Sequence, residues 1–230
     1  MIRGSNLKGF NIPNMNEILR ATLFADDTTT FLAEGDDFAD LQAILDKWCL
    51  ASKARFNMGK TEIVPVGAKR YREEMVSVYR STGRWKNYPT GVRIAGEGEA
   101  VRVLGSFIGN GLDQKALWKP KMAKLLAVME RWKAGRATVE GKTLVTQMIV
   151  GGMTQFLTGV QRMPQAVAKE VSVMIRNYIW EDNGHVPIAM ERLYEAKENG
   201  GLGLLDIEAR NEAVDIVWLR DYLTTGPKRP

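Results

Sequence analysis

The sequence predicts an α+β chain in two parts, a strand-bearing part over residues 1–112 and an all-helical part over residues 113–230. Two observations carry this expectation. Short runs of apolar and β-branched residues recur around residues 17–32 and 92–108, each broken by turn-forming residues. From Gln114 onward the apolar residues return at helical spacing instead. Charge is also uneven along the chain, though its change does not mark that boundary: residues 1–60 hold seven Lys/Arg and eight Asp/Glu, whereas the remainder holds 25 and 19.

The elements follow in order. From Glu17 to Leu32, two apolar runs flank Ala25-Asp26-Asp27, which reads as a β-hairpin. Asp36 or Asp37 then offers an N-cap for a helix carrying Phe38, Leu41, Leu45 and Trp48 and ending near Ser52. Thr61 to Val66 reads as a strand stopped by Pro65 and Gly67. A short helix is expected over Tyr71 to Tyr79, before a loop with Gly83, Pro89 and Gly91. A second hairpin is expected to pair Val92 and Ile94 across Gly96-Glu97-Gly98 with Val101 and Val103.

The helical part begins near Pro120 with Met122, Leu125, Leu126, Met129 and Trp132, and continues through Leu144, Met148, Ile149 and Phe156. Pro164 precedes a further helix with Val167, Val171, Ile175 and Tyr178. A last helix is expected from about Asp206 to Leu223.

Composition excludes several classes. A hydrophobic fraction of 45% can build a core, which argues against a disordered chain. A single cysteine, Cys49, cannot form an internal disulfide, and no His/Cys cluster has zinc-ligand spacing. Met1 to Phe10 lack an apolar signal segment, and the uncharged stretch between Lys142 and Arg162 is too polar for a membrane span. The expectation is an intracellular protein, nuclear or cytoplasmic, that uses no membrane.

Asp26 and Asp27 are the sharpest chemical feature. Adjacent carboxylates repel by about 1 to 4 kcal/mol at ~4 Å for dielectrics between water and a protein surface. A divalent cation relieves this, and Mg²⁺ accepts few carboxylates, completing its shell with phosphate oxygens and water. The plain alternative is a solvated turn. Asp26 is expected to be the firmer ligand, since consecutive strand residues face opposite ways. Downstream, Lys115, Lys119, Lys121, Lys124, Arg131, Lys133, Arg136 and Lys142 face only Glu130 and Glu140 in sequence. Such a run suits a polyanion track, or simply a solvated helix face.

Phe24-Ala25-Asp26-Asp27 resembles the Phe/Tyr-x-Asp-Asp hairpin in the palm of reverse transcriptases. Further segments resemble the non-LTR (LINE-like) retrotransposon enzymes in the same order. Ala54-Arg55-Phe56-Asn57 and Gly59-Lys60-Thr61-Glu62 are similar to the palm segment after that hairpin. Leu104-Gly105-Ser106-Phe107-Ile108-Gly109 is similar to the hairpin that supports the primer end. Residues 113–181 resemble a thumb, and Gly200-Gly201-Leu202-Gly203-Leu204 a segment that follows it. The resemblance spans about residues 7–223.

That likeness implies a partial polymerase palm followed by a helical thumb. It implies Asp26, Asp27 and Lys60 as catalytic, with the two aspartates on Mg²⁺ and Lys60 near the phosphates of the incoming nucleotide or departing pyrophosphate. It implies Leu104, Gly105 and Ser106 as the primer-supporting turn. An RNA template and a DNA primer are the implied partners, their duplex lying along Lys115, Lys119, Lys121, Lys124, Arg131, Lys133 and Arg136. Palms of this family also use a third Asp upstream of the hairpin, together with fingers. Met1 to Leu23 contain no Asp. The chain is therefore expected to be the C-terminal palm and thumb, inactive alone, with the upstream half of the polymerase as a further partner. A non-enzymatic nucleic-acid-binding module and a decayed retroelement relic are the alternatives.

Overall fold

The computed structural model describes residues 1–13, 17–181 and 187–224. The chain is α+β and divides into two compact units, Met1–Val101 and Arg102–Pro230. The sequence placed that division after residue 112. In the structure it falls inside a strand.

The first unit starts with a ribbon in which β1 (Phe10–Asn11) pairs antiparallel with β2 (Ile18–Leu19). Next, β3 (Ala21–Phe24) and β4 (Asp27–Thr30) form the expected hairpin, antiparallel with Phe24 opposite Asp27. Of the two candidate caps for α1 (Phe38–Ser52), Asp37 takes the role, its carboxylate accepting from the Ala39 N–H at 2.9 Å. Asp36 does something else. It accepts from the backbone N–H groups of Lys8, Gly9 and Ala33 at 2.6, 3.0 and 2.8 Å, tying the N-terminal ribbon to the segment before α1.

A 3₁₀ turn, Met58–Lys60, leads to β5 (Glu62–Ile63), shorter than the strand the sequence suggests. The following helix, α2 (Lys69–Thr82), is longer than expected and ends on Gly83 at φ +70°, a left-handed cap that glycine adopts without a Cβ clash. Residues 92–103 depart from expectation. The strand β6 (Arg93–Ile94) pairs in parallel with β5, with Glu62 opposite Arg93 and the two side chains ion-paired. It does not pair with Val101 and Val103. Arg80 of α2 donates to the Ile94 carbonyl at 3.0 Å and to Glu99 at 2.8 Å, while Glu99 accepts from the Gly96 N–H. Residues 96–99 are thereby folded as a turn against α2 rather than a hairpin tip. Met75, Tyr79, Val92 and Ile94 form this unit's small core.

In the second unit, β8 (Ser106–Ile108) pairs with β7 (Val101–Val103), the strand that holds the division. Leu104 and Gly105 make the two-residue turn at φ +49° and +86°. Positive φ at both central positions is the type I′ pattern that matches the twist of paired strands. Helix α3 (Gln114–Lys133) begins earlier than Pro120, because Asp113 accepts from the Lys115 and Ala116 N–H groups at 2.9 and 3.1 Å. Pro120 lies inside it. The lost backbone bond is tolerated where Trp118, Leu125 and Met129 are buried on one stripe.

Two helical stretches, α4 (Val139–Val145) and α5 (Gly152–Gln161), are joined without interruption by a π-helical segment, Thr146–Gly151. This continuous rod buries Val145, Thr146, Val150, Thr154, Leu157 and Thr158, and exposes Leu144, Met148 and Phe156, which sequence periodicity had put on the apolar stripe. Helix α6 (Gln165–Trp180), short α7 (Met190–Tyr194) and α8 (Ile207–Leu223) complete the unit. Its core runs through Trp118, Leu125, Val150, Val171, Ile175 and Ile207.

Between α7 and α8, Gly200 and Gly203 sit at φ +82° and +61° and form turns. A Cβ on Gly201 would stand 2.0 Å from the Glu195 carbonyl oxygen, so no other residue fits there without a backbone shift. Arg210 fastens α8 to α5, donating to the Thr154 and Thr158 hydroxyls at 2.7 and 3.2 Å; burial pushes its guanidinium below the ordinary value. No described helix is long and apolar enough to cross a membrane.

Candidate acidic hairpin and cationic helix

Local geometry at Asp26 and Asp27 follows from the pairing of Phe24 with Asp27. That register leaves Ala25 and Asp26 as the two turn residues. Ala25 sits at φ +50°, which for a residue with a Cβ costs on the order of 1 kcal/mol. Positive φ at the first central position alone has the sign pattern of a type II′ turn, where glycine is usual. Asp26 is therefore a turn residue rather than a strand residue, and Asp27 opens β4. The strand alternation used to rank them does not apply. Both carboxylates are exposed, as are Leu23 and Phe24 beside them, at 68% and 64%. No group of three or more His, Cys, Asp or Glu able to hold a metal occurs among the described residues.

Lys60 ends the 3₁₀ turn Met58–Lys60, its N–H bonded to the Asn57 carbonyl at 3.0 Å and its side chain exposed. No hydrogen bond or ion pair joins it to either aspartate. The Leu104-Gly105-Ser106 segment does form a hairpin tip, with the Ser106 hydroxyl donating back to the Val103 carbonyl at 2.7 Å. That tip is fixed from the helical side. Phe107 donates its N–H to Gln161 Oε1 at 2.9 Å, and a Cβ on Gly105 would meet the Phe156 ring at 2.9 Å.

The cations of α3 are not one stripe. Lys115 and Lys119, one turn apart, share a side, and Lys115 pairs with Glu170 of α6 at 2.8 Å. That carboxylate holds the Lys115 ammonium above its ordinary value. Lys121, Lys124 and Arg131 lie on another side, where the two-turn spacing of Lys124 and Arg131 puts both in solvent. Lys133 pairs with Glu130 one turn back at 2.7 Å. Arg136, in the connection after α3, is exposed.

Lys142 leaves the basic run altogether. Its side chain is buried, and the ammonium donates to the Ile179 carbonyl at 3.1 Å and to Glu181 at 2.8 Å, 5.9 Å from the Tyr178 ring centre. The hydrogen bond and charge of Lys142 hold the Glu181 carboxyl below its usual range. Sequence could not separate this lysine from the others because its partners, Ile179 and Glu181, lie at the C-terminal end of α6. His185 lies outside the described residues.

Arg162 and Trp218 were not singled out by sequence. They line a cleft of about 290 Å³ with Gln114, Val160 and Gln161 in the second unit. No protein-family model matches the chain, and no curated protein matches its sequence.

Proposed function

We propose that the chain is the palm-and-thumb part of an RNA-directed DNA polymerase of the non-LTR retrotransposon kind. Its Asp26-Asp27 hairpin contributes to a two-Mg²⁺ nucleotidyl-transfer site, and its helical unit binds the template–primer duplex. The observation that carries this reading is the hairpin tip. Two adjacent acids follow a non-glycine residue held at positive φ, and strain of that kind persists where geometry at a site is selected over stability. The exposed Leu23 and Phe24 fit a surface covered by further polymerase structure. In such a site the metal ions activate the attacking hydroxyl and stabilise the leaving oxygen. Within this chain Asp26 and Asp27 would hold them, and Lys60 would offer its ammonium to phosphate oxygens.

Two measurements test the reading. The 230-residue chain is expected to bind a blunt nucleic-acid duplex at low salt, with affinity falling steeply as salt rises. Absence of binding at low salt would sink it. Mn²⁺, used as a paramagnetic stand-in, is expected to broaden the Asp26 and Asp27 amide resonances before others, and Asp26→Asn to remove this. Uniform broadening over the acidic surface would remove the metal role and leave a nucleic-acid-binding module, whose duplex affinity is indifferent to Asp26→Asn. No primer extension is expected from the 230 residues alone.

A further inference from the structure

The cleft of about 290 Å³ in the second unit joins chemistry that no step above uses. Trp218 closes one side. Its indole N–H is already spent on the Gly159 carbonyl at 2.7 Å, yet the residue remains 47% exposed, so the ring is fixed in place with surface to offer. Gln161 is likewise committed, accepting from Phe107 N–H and donating to Gln114 Oε1 at 3.1 Å. That second bond orients the Gln114 amide and leaves its NH₂ group with no partner among the described residues. Arg162 pairs through Nε with Asp215 at 3.2 Å, and its two terminal nitrogens have no partner there.

The backbone at Arg162 is strained. It lies at φ +60°, ψ +158°, a region populated essentially by glycine and costing about 1 to 3 kcal/mol for other residues. Two bonds hold it there. The Arg162 N–H reaches the Thr158 carbonyl at 2.9 Å, and the Arg162 carbonyl accepts from the Nε1 of Trp118, a fully buried side chain. A glycine would sit at this position without strain but would carry no guanidinium.

A fixed aromatic surface, an amide donor and a cation in a small open cleft match one flat heteroaromatic ring with a phosphate attached. Base–aromatic stacking beside a backbone-binding cation is how single strands are held without sequence preference. The cleft is too small for a duplex. We propose that it takes one unstacked nucleotide of a single-stranded nucleic-acid segment, its base on Trp218 and Gln114 and its phosphate on the terminal nitrogens of Arg162. Nucleic acid as the ligand rests on the function proposed above, whereas the cleft and its strained arginine do not.

The test compares two fluorescent DNA hairpins, one blunt and one with a short single-stranded overhang, by anisotropy on the full chain. The overhang is expected to tighten binding about tenfold, within the range for stacking one base. Trp218→Leu should erase that gain and leave blunt-hairpin affinity unchanged, and Trp218→Phe should keep most of it. Arg162→Gly should weaken overhang binding, lower its salt slope by about one, and raise the melting temperature by relieving the backbone. A merely structural arginine would not separate those two readouts. Equal affinity for blunt and overhang hairpins overturns this proposal and leaves duplex binding standing. Overhang binding without blunt binding supports the cleft while refuting the duplex role, and no binding to either refutes both.

Discussion

Lys142 and Asp36 illustrate how a residue's partners, not its type, decide its work. Lys142 stands in a basic run, yet its ammonium is used on Ile179 and Glu181. Lys142→Ala is therefore expected to lower unfolding stability by about 2 kcal/mol, less than a fully buried pair would cost because Glu181 is solvated. Duplex affinity and its salt slope should not change. Lys124→Ala and Arg131→Ala should do the reverse, leaving the denaturation midpoint alone and reducing the salt slope by about one each. A salt slope that falls with Lys142→Ala would return that residue to the binding face.

Asp36 gives a pH dependence with a definite sign. Burial raises its carboxyl, but three backbone N–H donors and the charge of Lys8 outweigh this, and it sits below the ordinary value of 3.8. A depressed folded value stabilises the fold above the unfolded carboxylate value, about 3.9. That contribution fades as pH falls through the lower folded value. Asp36→Asn should cost stability at about pH 6 and much less at about pH 2, measured by urea unfolding at both.

At the scale of elements, the β7–β8 hairpin depends on a helix distant in sequence. Gly105 has both positive φ and the Phe156 ring where a Cβ would stand. Gly105→Ala is expected to destabilise by about 1 to 2 kcal/mol. In a Phe156→Leu background the penalty should shrink to the φ cost alone, since the close contact is gone, and a double-mutant cycle isolates that coupling. An unchanged penalty would mean that Phe156 does not set the hairpin. The sequence-level pairing of Val92 and Ile94 with Val101 and Val103 fails for a comparable reason. Arg80 and Glu99 fold the intervening glycines onto α2, an interaction between residues far apart in sequence.

Over the whole molecule, the two units differ in how much core they own. The second buries Trp118, Leu125, Val171, Tyr178 and Ile179 among others, while the first gathers a small cluster around Met75 and Tyr79. Native-state hydrogen exchange should therefore find the slowest amides in α6, around Val171 and Ile175, and markedly faster exchange in β3 and β4. Slow exchange in the acidic hairpin would contradict the exposure of Leu23 and Phe24.

The sequence by itself determined the α+β class, the acidic hairpin, a cap at Asp36 or Asp37, the start of the last helix near Asp206 and the helical character beyond Gln114. Each of these rests on contacts within a few residues, where turn chemistry, capping and periodicity act. Only the tertiary structure decided that β6 runs parallel to β5, that Lys142 turns inward and that Arg162, Gln114 and Trp218 line one cleft. These join residues tens of positions apart, and no local pattern encodes which distant partner satisfies a given donor or covers a given ring.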